Sequence, residues 1–148
     1  MKEDESLLLP PYNIPYRLKV LALLNDRRIT ALLEPYQLTP MQYGVLCCLW
    51  REDGITTTEI SETLRALGGT LTVVLDGLES RDLAVRRKDI VDKRLSRIFL
   101  TEKARNLEAV IVPAVVNLQN KMFAFLTREE VSILSSILDK LLLVPYTE

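Results

Sequence analysis

The sequence predicts a mainly α-helical fold with one small β-hairpin (α+β), and three observations lead there. Between Thr56 and Thr101, two short amphipathic patterns precede two short apolar runs that flank a charged stretch. Outside that stretch, apolar residues recur at helical spacing over most of the chain. Thr39 with Gln42, Thr56 with Glu59 and Thr127 with Glu130 have the spacing of capping boxes, which mark helix starts. Helix, turn, helix and then a hairpin with a basic tip is the plan of a winged helix-turn-helix, which implies a DNA-binding module.

Met1 to Pro15 reads as an extended arm, because Pro10, Pro11 and Pro15 disfavour a continuous helix. Its Leu7, Leu8 and Leu9 would pack on another subunit or belong to a loose terminus. Tyr16 to Glu34 is a long helix that Pro35 ends. Leu18, Leu21, Ile29, Leu32 and Leu33 form its stripe, and Val20, Leu23 and Leu24 widen it past one face. A helix apolar over most of its circumference touches two partners at once. Pro40 to Arg51 follows, with Thr39 as cap and Pro40 at the first helical position. Gly54 closes it. Ile55 is a candidate one-residue strand against the hairpin edge.

The next helix begins at Thr56 and carries Ile60 and Leu64. Arg65 to Gly69 reads as a break. Leu71, Val74, Leu75 and Leu78 then form the stripe of the second helix of the motif. Leu83-Ala84-Val85 is the first strand, Arg86 to Arg97 a charged loop, and Ile98-Phe99-Leu100 the return strand. Thr101 to Leu126 is a very long helix, about 39 Å at 1.5 Å per residue, which Pro113 should kink. Arg128 to Leu143 is the last helix. Residues 1–36 and 101–148 therefore form a helical region suited to dimerisation, and residues 37–100 form the winged domain. Part of the long helix has no partner within one copy, and a two-fold dimer supplies it most simply.

The 148 residues carry a net charge of −1, so no global pull toward a polyanion exists. Locally, Arg81 to Arg105 holds nine basic against four acidic residues. That stretch is an electrostatic footprint for nucleic acid, unless it is simply a solvated hairpin. There is no histidine, which excludes a Ser-His-Asp triad, a Cys-His nucleophile and a His/Cys zinc site. Nothing else suggests an enzyme, and no cofactor is expected. No apolar run reaches the roughly 18 residues of a membrane span, and the start is too charged for a signal peptide. A soluble cytoplasmic protein is expected. Cys47 and Cys48 are neighbours on a helix, so a disulfide between them is not expected.

The order of elements and four motifs resemble the MarR family of bacterial transcription regulators, over roughly Tyr16 to Leu143. The motifs are Leu38-Thr39-Pro40-x-Gln42-Tyr43-x-Val45-Leu46, Thr58-Glu59-Ile60-x-x-x-Leu64, Val74-Leu75-Asp76-x-Leu78-Glu79-x-Arg81-x-Leu83, and Asp92-Lys93-Arg94 followed by Leu100-Thr101-Glu102-Lys103-Ala104. The resemblance implies a homodimeric repressor on an operator of two inverted half-sites, released by a small aromatic or phenolic ligand or by cysteine oxidation. It also implies that Arg94 enters the minor groove and that Asp92 holds the wing or its arginine.

The second helix of the motif departs from the family, with Gly68 and Gly69 at its start and Val73 where an arginine is common. Thr70, Thr72 and Val73 face outward, and Gly69 lets the backbone approach a phosphate. No side chain there reads a base bidentately, so specificity should come from the wing and from DNA shape. Arg65, Arg86, Arg87, Lys88, Lys93 and Arg97, together with Arg81, are candidate phosphate contacts. For an aromatic effector, the candidates are Tyr16, Arg17, Arg28, Met41, Tyr43 and Trp50, although aromatics at helical spacing are usually core. Cys47 and Cys48 sit among Val45, Leu46, Leu49 and Trp50, which suits inert packing better than oxidant sensing. A winged domain that binds another protein through its bare helix is the remaining alternative.

Overall fold

The structure is a computed structural model that describes residues 9–144. Among the described residues, six α-helices and one hairpin follow in order: α1 (Ile14–Leu33), α2 (Pro40–Arg51), α3 (Thr57–Leu64), α4 (Gly68–Ser80), β1 (Ala84–Lys88), β2 (Ser96–Leu100), α5 (Glu102–Met122) and α6 (Arg128–Leu142). By contacts the chain divides into two compact units, one up to residue 111 and one from residue 112 onward. Among the described residues no helix is long and apolar enough to cross a membrane.

The first unit is built around α2, which touches α1, α3, α4 and β2. Its core is aliphatic: Leu33, Val45, Leu46, Leu49, Ile60, Leu75, Leu78, Leu83 and Ile98 are buried. The strong starts form as expected. Thr39 and Gln42 complete a capping box at α2, as do Thr56 and Glu59 at α3. Within the second unit Thr127 and Glu130 do the same for α6.

Several boundaries differ from expectation. Helix α1 starts two residues early, because the Asn13 side chain accepts the Tyr16 backbone N–H at 3.0 Å and Pro15 fits the first turn. Glu34–Tyr36 then forms a 3-10 turn, with Pro35 inside it. Leu7 and Leu8 lie outside the described residues. Helix α5 runs through Pro113 and stops at Met122, four residues short of the expected end. Phe125, whose spacing continues the apolar pattern of the helix, is 95% exposed in the turn that follows.

The hairpin is longer than the apolar runs suggest. Arg86, Arg87 and Lys88 are strand residues, paired with Ile98, Arg97 and Ser96 in antiparallel register. The charged loop is therefore only residues 89–95. Cross-strand hydrogen bonding holds these charged residues in β form despite their weak strand propensity. The Ile55 expectation is close. The Ile98 N–H donates to the Ile55 carbonyl at 2.9 Å, and the isolated bridge itself joins Thr56 and Arg97.

Two side chains tie the hairpin base to its surroundings. Asp53 accepts the Leu100 backbone N–H at 2.8 Å through Oδ1 and pairs with Arg105 at 2.6 Å through Oδ2. Trp50 Nε1 donates to the Ala104 carbonyl at 3.0 Å, which joins α2 to the start of α5.

Candidate nucleic-acid interface

Helix α4 presents the outward face that the sequence suggests. Leu71, Leu75 and Leu78 are buried, and Thr70, Thr72 and Val73 are exposed. Its start differs from expectation. The break covers only residues 65–67, and Arg65 turns the chain with a left-handed φ of 49°. Gly68 and Gly69 lie inside the first turn, and Leu67 offers no side-chain cap. Thr72 Oγ1 donates to the Gly68 carbonyl at 3.1 Å. Opposite α4, α3 contributes Thr57, Thr58, Ser61 and Glu62 to a shared cleft of about 720 Å³, with Arg86 and Ser96 also lining it.

A Cβ added at Gly68 or Gly69 would meet nothing within 4 Å. Internal packing therefore gives no reason for either glycine. Replacing both with alanine is expected to stabilise α4 by up to about 0.5–1 kcal/mol each, because glycine loses more backbone entropy in a helix. If these glycines serve a close phosphate approach, the same variant binds DNA more weakly. Thermal melting and a gel shift on one sample check both signs, and unchanged DNA affinity would remove the glycines from the interface.

The basic residues fall into two groups. Arg86 is tied to α4. Its guanidinium pairs with Asp76 and Glu79 at 2.6 Å each and donates to the Thr72 carbonyl at 3.2 Å. Its backbone N–H donates to Glu79 Oε1 at 2.9 Å. Arg97 pairs with Asp89 and donates to the Gly54 carbonyl at 2.8 Å. Arg81 donates to the carbonyls of Tyr36 and Gln37. These three arginines, expected as phosphate contacts, each make contacts within the fold. Arg87 stacks over Phe99, 5.1 Å from the ring centre. Lys88, Lys93 and Arg94 are exposed at the hairpin tip, and none makes an ion pair among the described residues.

The tip that carries them is ordered by two aspartates. Asp89 Oδ1 accepts the backbone N–H groups of Val91 and Asp92, both at 2.8 Å. The Asp92 N–H, the Arg97 guanidinium and the Val91 N–H hold the Asp89 carboxyl down to about 2, so it is ionised at neutral pH. Asp92 Oδ1 accepts the Arg94 backbone N–H at 3.0 Å. Asp92 thus braces the turn, one of the two roles the resemblance allows it. The role of Asp89 was missed from sequence. An aspartate two or three residues before the amides it accepts is an Asx-turn signal, and Asp89 has that spacing.

The effector candidates do not gather in one place. Tyr16 and Arg17 line an apolar groove with Pro11, Val20 and Leu21. Tyr43 and Trp50 instead meet edge to face, 6.2 Å between ring centres, on α2. Met41 is half-buried and Arg28 is exposed. Burial pushes the Tyr43 hydroxyl and the Cys47 and Cys48 thiols up from their ordinary values. Both cysteines are half-buried and free. A protonated thiol is a poor nucleophile, so the setting suits packing.

Residues 38–96 match the family model described as the MarR family. Over 82 residues the chain is 42% identical to the HTH-type transcriptional regulator TtmR of Methylorubrum extorquens (strain PA1). That match covers 55% of this chain and 42% of the TtmR length, so it spans less than half of that protein. Among solved structures, the transcriptional repressor CouR bound to a 23-mer DNA duplex superimposes with a TM-score of 0.82 at 31% identity, over 95% of this chain and 97% of that one. A mutant MarR from E. coli complexed with operator DNA gives a TM-score of 0.82 at 26% identity, over 95% and 99%. With the winged domain, the ordered basic tip and these likenesses together, the chain belongs to the MarR family, a family of DNA-binding transcriptional regulators rather than of enzymes.

Proposed function

We propose that the protein is a cytoplasmic repressor that binds a palindromic operator as a homodimer and is released by a small aromatic or phenolic ligand. The observation that carries the DNA reading is the tip itself: Lys93 and Arg94 on a turn braced by Asp89 and Asp92, and Lys88 at the end of β1, make no ion pair among the described residues. An ordered cluster of unpaired cations suits a polyanion. Two copies are favoured because Leu18, Val20, Leu21, Leu23 and Leu24 leave one apolar stretch of α1 exposed. The groove of Tyr16 and Arg17 supplies an apolar wall and a carboxylate partner for the effector.

One experiment tests the core of this reading. A duplex is selected from a random pool by the purified protein, and its affinity is measured from low to moderate salt. Three free cations at each of two tips predict a slope of log affinity on log salt of about −5, at roughly 0.9 per phosphate. Light scattering on the same complex should give two chains per duplex. A flat slope, or a single chain bound, overturns the proposal. Repeating the titration with a panel of aromatic acids tests release, and no loss of binding with any of them sinks the effector.

A further inference from the structure

The cations at the hairpin tip surround something that the charge does not explain. Ile90 and Val91 are 94% and 95% exposed, at the outermost point of the turn. Leu95, which closes the turn, is partly exposed as well. Large aliphatic side chains so exposed next to lysine and arginine are poorly placed for water alone. Their backbone is not loose. The Asp89 carboxylate accepts from Val91 and Asp92, the Asp89 N–H donates to the Leu95 carbonyl at 3.1 Å, and the Leu95 N–H donates to the Asp92 carbonyl at 2.9 Å. Arg97 holds the same carboxylate from β2. The turn therefore presents two β-branched side chains on a preformed support, with little entropy left to lose on contact.

The charges around this point decide what it meets. Asp89 and Asp92 flank it directly, the first paired with Arg97 and the second turned back onto the Arg94 N–H; beyond them Lys88, Lys93 and Arg94 have no ion-pair partner among the described residues. A protein surface covering Ile90 and Val91 would have to neutralise all three cations with acids placed to match. A duplex offers that arrangement by construction, with phosphates along both groove edges and apolar base faces between them. The side chains of α4 also lack a bidentate base reader, so another source of discrimination is needed. We propose that Ile90 and Val91 form an apolar wedge that enters the minor groove beside Arg94 and opens a base step. The wedge favours easily unstacked pyrimidine–purine steps and kinks the duplex at each wing. This inference rests on the DNA-binding reading above.

The test uses the full chain and the duplex selected by the unaltered protein, with 2-aminopurine placed at successive positions. Fluorescence is expected to rise severalfold at one step in each half of the site. The double variant Ile90→Ser/Val91→Ser should bind about tenfold more weakly, abolish the rise and lose the preference for a flexible step. The apolar variant Ile90→Leu/Val91→Leu should keep all three. Tight binding by the unaltered protein with no rise at any position would overturn the wedge and leave DNA binding intact. Full affinity and a full rise in the serine variant would do the same. Full affinity in that variant with loss of self-association would assign the tip to contact between copies instead. Failure of the unaltered protein to hold any duplex at low salt would sink both readings.

Discussion

Replacing Arg94 with alanine is expected to weaken DNA binding by about three orders of magnitude in a dimer. Loss of a specific arginine contact to DNA is worth roughly 2 kcal/mol, and two distant wings add, giving about 4 kcal/mol at about 1.4 kcal/mol per tenfold. The Arg94 backbone is fixed by Asp92, and no ion pair to its side chain is found among the described residues, so the substitution should leave the fold alone. Equilibrium titration against the selected duplex, with thermal melting as control, measures this. Arg86→Ala makes the instructive comparison. It removes a positive charge too, but that charge already faces Asp76 and Glu79. Its loss should lower the melting temperature more than it changes the salt slope. If Arg94→Ala is neutral while single base changes under α4 each cost about 2 kcal/mol or more, the wing is not the reader and α4 is.

The largest stability effect is expected at Gly54, where the backbone requires glycine. Its φ is +79°, and an added Cβ would lie 2.6 Å from Phe99 Cε1. The left-handed conformation costs an ordinary residue about 1–2 kcal/mol, and displacing a packed ring costs about as much again. Gly54→Ala should therefore destabilise by about 2–4 kcal/mol and lower the melting temperature by roughly 10 °C. The Gly54 N–H also donates to the Ile98 carbonyl, and its own carbonyl accepts from Arg97. The damage would thus reach the base of the hairpin. Adding Phe99→Ala should recover the steric part only. A loss below about 1 kcal/mol would mean that the turn re-forms without strain.

Local chemistry made the helix starts legible. Thr39, Thr56 and Thr127 each cap within three residues, and each helix begins where that motif places it. The hairpin was under-read because Arg86, Arg87 and Lys88 are strand residues only through their partners on β2. The apolar spacing of α5 runs on past Met122 to Phe125, beyond the point where the helix ends, so the pattern alone does not mark its end. In the site, the concentration of basic residues was visible, but their division was not. Arg86 meets Asp76 and Glu79, ten and seven residues away, and Arg97 meets Asp89 eight residues away. Those encounters depend on the hairpin register and on how the hairpin lies against α4, which no short window contains. Gly68 and Gly69 misled in the other direction. Glycine signals a break, yet with ordinary helical dihedrals it merely makes a first turn less stable.

The Asp53 carboxylate has a mechanical consequence. One oxygen holds the last residue of β2 and the other holds Arg105 in the second turn of α5. Twisting that end of α5 must either drag the hairpin along or snap a bond to this side chain. The linkage works as a crank pin between shaft and finger, and a force applied to the shaft is felt at the finger without any change in the finger's own turn.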